Sequence, residues 1–129
     1  MKSGELIERY GDLIGAPYLA GGRDARTGID CAGLVSEVLQ RQGVAIPDGA
    51  LDATPAGVPV CWRRLRIPPD ALRVGDVIYS TCEGRPHISV VVAQEIVATT
   101  TRARGVRLVP LRAITNTIAA YRLREEPSA

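Results

Sequence analysis

An α+β fold is predicted by three features of this 129-residue chain. Apolar residues recur at helical spacing only in its first third. β-Branched runs begin only after Val74, and the connections between those runs are short, polar or glycine-containing. Helices first and strands afterwards imply N-terminal helices packed on one face of an antiparallel sheet of five or six strands. A hydrophobic fraction of 46% is enough for one core at this length, so residues 1–129 are expected to form a single domain.

The first helix is expected from Ser3 to about Leu13, where Leu6, Ile7, Tyr10 and Leu13 or Ile14 share one side, and Gly15-Ala16-Pro17 ends it. A glycine-rich loop follows from Tyr18 to Ile29, with Gly21-Gly22 and Gly28 allowing backbone to approach closely. The second helix starts at Cys31. Asp30 suits its N-cap, Leu34, Val35, Val38 and Leu39 repeat at helical spacing, and Gly43 is a stop after Gln42. Pro47, Pro55, Pro59, Pro68 and Pro69 then punctuate an ordered loop with one short helix near Ala50, a place where substrate selectivity could sit. Strands are expected at Asp76–Thr81, His87–Ala93, Ile96–Thr101, Gly105–Val109 and Ile118–Leu123, joined through Cys82–Pro86, Gln94–Glu95 and Arg102–Arg104 as sequential hairpins. Gly75-Asp76 reads as turn chemistry leading into the first of them.

The formal net charge is +2, from 16 basic and 14 acidic residues, and the basic residues form no block that could track a phosphate backbone. That argues against nucleic acid as a partner. No apolar run approaches the roughly 18 residues of a membrane span. The N-terminus interleaves acids with apolar residues, unlike a secretory leader, so the chain is expected to be cytoplasmic as synthesised. Cys31, Cys61 and Cys82 cannot all pair within one molecule, which fits a reducing compartment. With one histidine and no Cys-x-x-Cys pair, neither a metal nor another cofactor is implied.

Cys31 and the lone His87 carry the chemical interest. A thiol in the first turn of a helix feels the positive end of the macrodipole and unpaired N–H groups, both of which favour thiolate. His87 opens the apolar strand Ile88-Ser89-Val90-Val91-Val92, from where its ring could reach a helix terminus packed above. Nucleophilic thiol chemistry needs such a base and a third group to orient it. Taken alone, the two residues read first as a small core cysteine and a satisfied turn histidine.

Pro17-Tyr18, Gly21-Gly22, Gly28-Ile29-Asp30-Cys31-Ala32-Gly33-Leu34-Val35, Val74-Gly75-Asp76-Val77-Ile78 and His87-Ile88-Ser89-Val90-Val91 occur in the order seen in NlpC-type cysteine peptidases. The chain resembles that family. The resemblance implies a papain-like core and hydrolysis of amide bonds in peptidoglycan stem peptides or muropeptides. It makes Cys31 the nucleophile, His87 the general base, and Tyr18 a partner of the Cys31 N–H in holding the oxyanion. Asp30 matches an aspartate that caps the helix or binds the free amine of the peptide.

Two positions depart from the family pattern. Ala32 replaces a serine that in some members contacts substrate. Family members carry His, Asn or Gln twelve residues after the catalytic histidine, and gapless counting reaches Thr99; a register shift would bring Thr101 or Ala98 there instead. Thr99 is thus either a short-reaching third catalytic group or an ordinary strand residue. Cys82 lacks a helix terminus, and Cys61 beside Trp62 reads as packing. The leading reading is a cysteine peptidase that recycles muropeptides in the cytoplasm or is delivered by a phage particle or secretion system. Acyl transfer from Cys31 ranks below it. A catalytically weak or inactive phage-associated binding module is the other alternative, and oligomeric state stays open.

Overall fold

Two layers arise from the two periodicities. In the computed structural model, which describes residues 3–44, 62–66, 71–82 and 84–123, two helices lie N-terminal to a six-stranded antiparallel sheet. Helix α1 spans Ser3–Tyr10 and helix α2 spans Cys31–Arg41. Between them β1 (Arg23–Asp24) and β2 (Gly28–Ile29) form a small antiparallel ribbon. The sheet contains β3 (Trp62–Arg64), β4 (Val77–Cys82), β5 (Arg85–Ala93), β6 (Ile96–Thr101), β7 (Gly105–Pro110) and β8 (Thr117–Leu123), in the order β3-β8-β4-β5-β6-β7.

Helix α2 packs on β5 and β6. Its Leu34, Val35, Val38 and Leu39 are buried with Ile88, Val90 and Val92 of β5 and Ala98 of β6, so even-numbered residues through this hairpin face the helix. The opposite face carries Ile78, Val91 and Val97 in a second cluster. Strand alternation therefore decides which side chains pack under the body of α2 and which lie on the other face of the sheet.

Several boundaries differ from the sequence expectation. Helix α1 stops at Tyr10, because a chain of turns follows in which the Leu13 N–H bonds the Tyr10 carbonyl. Leu6, Tyr10 and Leu13 are buried, whereas Ile7 and Ile14 are exposed. The glycine-rich loop contains the β1–β2 ribbon, and β3 is a sixth strand that the alternation pattern did not mark. The proposed helix near Ala50 and Cys61 lie outside the described residues. Asp76 proves structural, as its turn chemistry suggests. Buried at the head of β4, it receives Arg122 Nε and Nη2 at 2.8 and 2.7 Å and the Arg73 N–H at 2.7 Å.

Two contacts dock the N-terminal segment on the far strand. The Val106 N–H bonds the Ala16 carbonyl and the Gly15 N–H bonds the Val106 carbonyl. Gly105 has φ +68°, and a Cβ there would collide with the Ala16 carbonyl, so glycine is required on both counts. Tyr18 is thereby held close to the N-terminus of α2. Among the described residues no helix is long and apolar enough to cross a membrane.

Candidate active site

Asp30 starts α2 as expected. Its backbone is extended, and its Oδ1 accepts the Gly33 N–H at 2.7 Å. The same carboxylate also receives Arg23 Nη1 at 2.7 Å on Oδ1 and the Gly21 N–H at 2.8 Å on Oδ2. Both oxygens are therefore committed to the cap and the loop. Asp30 pins the glycine-rich segment against the helix, and its charge is already met by a guanidinium. This favours the capping role over the amine-binding one. Gly33 is needed for the same closeness, since a Cβ there would lie 2.5 Å from the Gly22 carbonyl oxygen.

Cys31 is a free thiol at the first position of α2, partly buried. With Tyr18, Arg85, Pro86, His87, Thr100, Thr101 and Arg102 it lines an open cleft of about 80 Å³. The helix terminus, the start of β5 and the end of β6 thus meet where the two periodicities bring them. Arg102 lies over the Tyr18 ring, 5.5 Å from its centroid, so the tyrosine is braced by a cation. Tyr18, Cys31 and His87, chosen from sequence, share this one cleft. Asp30 adjoins it through the helix cap.

The thiol is not prepared as the helix terminus alone would suggest. Burial pushes its pKa up, and the nearby Asp30 carboxylate pushes in the same direction; the N–H groups of Ile88, Ala32 and Cys31 itself act against this but do not win. Burial lowers the pKa of His87. Each group is thus pushed toward its neutral form, a direction opposite to the thiolate that the helix terminus favours. Desolvation, a term invisible in local sequence, outweighs the helix terminus.

Thr99 does reach the histidine. His87 Nε2 and Thr99 Oγ1 are 2.6 Å apart, and the buried Ser89 hydroxyl donates to the same Thr99 oxygen at 3.1 Å. A β-bulge makes this possible. Ala93 faces Ile96 across the two-residue turn, but a register shift between Val91 and Ala93 sets Val90 opposite Ala98. Continuing that register, Thr99 falls beside Ser89 on the side of the sheet from which His87 projects. Without the extra residue Thr99 would oppose Val90 and point toward α2.

Sequence reasoning missed Ser89, Arg85, Arg102 and Arg107. Ser89 shares strand parity with His87, a signal that the alternation rule supplies once the register is known. Arg107 is the cross-strand partner of Thr99 on β7. It lines a second cleft of about 150 Å³, which lies behind His87 and also includes Ser80, Thr81, Thr99 and Thr101. Among the described residues no acid lines either cleft, Asp30 lying just outside the first at the helix cap, and no cluster of His, Cys, Asp or Glu could hold a metal.

The sequence profile of the NlpC/P60 family matches residues 15–123. The P60 domain of an M. avium subspecies paratuberculosis antigen superimposes with a TM-score of 0.61 at 26% identity, covering 93% of each chain. The NlpC/p60 domain of the peptidoglycan hydrolase SagA gives 0.60 at 17% identity, covering 97% of this chain and 100% of the other. A lipoprotein-like NLP/P60 protein of Staphylococcus aureus gives 0.60 at 19%, covering 98% of this chain and 43% of the other. Among curated proteins, none matches the chain significantly by sequence. The papain-like α+β fold implied by the ordered motifs is therefore present, and the chain belongs to the NlpC/P60 family.

Proposed function

We propose that the chain is a cysteine peptidase that cleaves amide bonds in peptidoglycan stem peptides through a thioester on Cys31. The observation that carries this reading is the arrangement around one imidazole. His87 borders the cleft that exposes Cys31, while its Nε2 is engaged by Thr99 at 2.6 Å, leaving Nδ1 as the nitrogen available for the thiol proton.

Because both partners rest neutral, the thiol proton moves to His87 as Sγ attacks the scissile carbonyl, not before. The carbonyl π electrons pass to oxygen, and the Cys31 N–H at the helix terminus, with the Tyr18 hydroxyl, stabilises the oxyanion. Collapse breaks the C–N bond, and the imidazolium gives its proton to the departing amine. Water, deprotonated by His87, then attacks the thioester, and Cys31 leaves with the proton returned. Thr99 holds the ring through both steps.

The charge around the cleft supports an anionic peptide. Arg85 and Arg102 border it, and among the described residues no acid lines it, so a substrate rich in carboxylates, as cell-wall stem peptides are, gains attraction that a cationic peptide would not. The single domain and a cytoplasmic or particle-delivered setting belong to the same reading. Incubation with purified muropeptides, followed by mass spectrometry, tests it: cleaved stem peptides from the wild type and none from Cys31→Ala are expected. Intact muropeptides after exposure to a folded wild-type protein would refute hydrolysis.

A further inference from the structure

Behind His87, on the face of the sheet away from α2, the second cleft holds one hydrogen-bonding group that the fold leaves incomplete and another whose hydrogen is uncommitted whenever His87 Nε2 donates to it. The Arg107 Nε–H is buried with no acceptor. Such a group in a folded interior calls for a partner. The other is the Thr99 hydroxyl. Its oxygen already accepts from Ser89, and when it also accepts the His87 Nε2–H its own hydrogen must point elsewhere. Thr99 and Arg107 are direct cross-strand partners and line the same cleft, whose remaining polar wall consists mainly of hydroxyls such as Ser80 and Thr101.

From this geometry we infer that the cleft behind His87 is a carboxylate-binding site. One carboxylate oxygen accepts the Arg107 Nε–H, the side-on mode in which a guanidinium pairs with a planar anion. The other accepts the Thr99 hydroxyl hydrogen. The bound carboxylate thereby fixes Thr99 as an acceptor toward Nε2, which sets the His87 tautomer with Nδ1 free for the thiol. It supplies through one hydroxyl the negative charge that a threonine lacks at the third catalytic position. The carboxylate is either a group of the substrate peptide reaching around His87 or a small free acid. The two clefts share His87 and Thr101, so a peptide lying in the first is adjacent to the second.

Only the catalytic half of this rests on His87 acting as the base; binding is read by itself. In the intact labelled protein, acetate is titrated against chloride at fixed pH and ionic strength while the Arg107 Nε–H and His87 ring resonances are followed by NMR. Saturable movement of both with acetate and not with chloride is expected. Arg107→Lys keeps the charge but removes the Nε–H, and should weaken acetate at least tenfold with an unchanged amide spectrum elsewhere. Thr99→Val should keep the Arg107 response and lose that of His87. Non-saturating shifts, equal effects of chloride, or an Arg107→Lys protein that binds acetate as the wild type does would overturn the site.

The source is separated in Cys31→Ala protein with stem peptides bearing free or amidated carboxylates. Free-acid peptide that reproduces both shifts and competes with acetate assigns the carboxylate to the substrate. Acetate shifts that persist unchanged beside bound peptide assign it to a small acid. Muropeptides left uncleaved while acetate moves both resonances would sink the peptidase reading and leave this site standing.

Discussion

Replacing Thr99 with valine removes one hydroxyl and nearly no volume, and the structure makes the cost calculable in two independent readouts. In the proposed mechanism His87 becomes imidazolium in the transition state for attack, and its Nε2 contact with Thr99 Oγ1, 2.6 Å in the resting protein, becomes a charge-assisted Nε2–H bond. A bond of that kind contributes about 1.5–3 kcal/mol. At about 1.4 kcal/mol per factor of ten, kcat/KM on a stem peptide should fall roughly 10- to 150-fold. The buried Ser89 hydroxyl loses its acceptor as well, which costs about 1–3 kcal/mol of stability. For a chain of this length that is a fall in Tm of roughly 4 °C per kcal/mol. Adding Ser89→Ala removes the orphaned donor, so the double variant should regain most of the stability while the rate stays low. The assay is stem-peptide cleavage beside thermal unfolding of the single and double variants. A Thr99→Val protein with kcat/KM within twofold of the wild type would refute the role of Thr99 in holding the imidazole.

Three further outcomes follow from the same geometry. Because the folded pKa of His87 lies below its ordinary value of about 6.5, the neutral ring favours folding; that contribution is complete above about pH 6.5 and is lost as pH falls through the folded value. Urea unfolding of wild type should therefore weaken more steeply in this acid range than that of His87→Gln, and parallel pH curves would contradict a buried neutral imidazole. Asp76→Ala leaves Arg122 without its buried partner and should cost about 3–5 kcal/mol in urea unfolding; a loss below 1 kcal/mol would mean that the pair is solvated. Gly33→Ala drives a methyl against the Gly22 carbonyl and Ile29, so a loss of about 1–3 kcal/mol is expected, with slower alkylation of Cys31 as the loop shifts. Unchanged stability and alkylation would show that the loop yields freely.

Cys31 and His87 were legible because each sits at the start of an element whose period the sequence displays openly. Asp30 caps one and Pro86 precedes the other, so an error of a residue or two in either boundary leaves them in place. Thr99 was legible only as a count of twelve, because the bulge between Val91 and Ala93 decides which face it occupies and nothing in Val90-Val91-Val92-Ala93 marks an extra residue. Arg107 was hidden for a related reason. Its importance comes from pairing with Thr99 across a second hairpin, two registers away from His87. The direction of the thiol's pKa was hidden because helix position is local whereas burial is collective: desolvation of Cys31 outweighs the N–H groups of Ile88, Ala32 and Cys31 that act against it.

That collective term changes how the site must work. A preformed thiolate beside an imidazolium would be stabilised by every group that lowers the thiol's pKa, and Asp30, so close to Cys31, would be a liability. With the pair neutral, Asp30 can serve the cap and bind Arg23 at no cost to a resting ion pair, and charge appears only when substrate drives the proton across. The burden then moves to groups that meet charge as it develops. In the proposed mechanism the helix terminus meets the oxyanion, and the Thr99 hydroxyl meets the imidazolium. Arg85, Arg102 and Arg107 border the two clefts, and among the described residues no acid lines either, so a carboxylate brought by a ligand would place negative charge close to the imidazolium. On the proposed mechanism, a carboxylate in the cleft behind His87 would couple proton transfer to occupancy by an anion. The protein should discriminate among peptides by their carboxylates at the level of kcat as well as KM, because the same group that is bound also steadies the charge formed in the transition state.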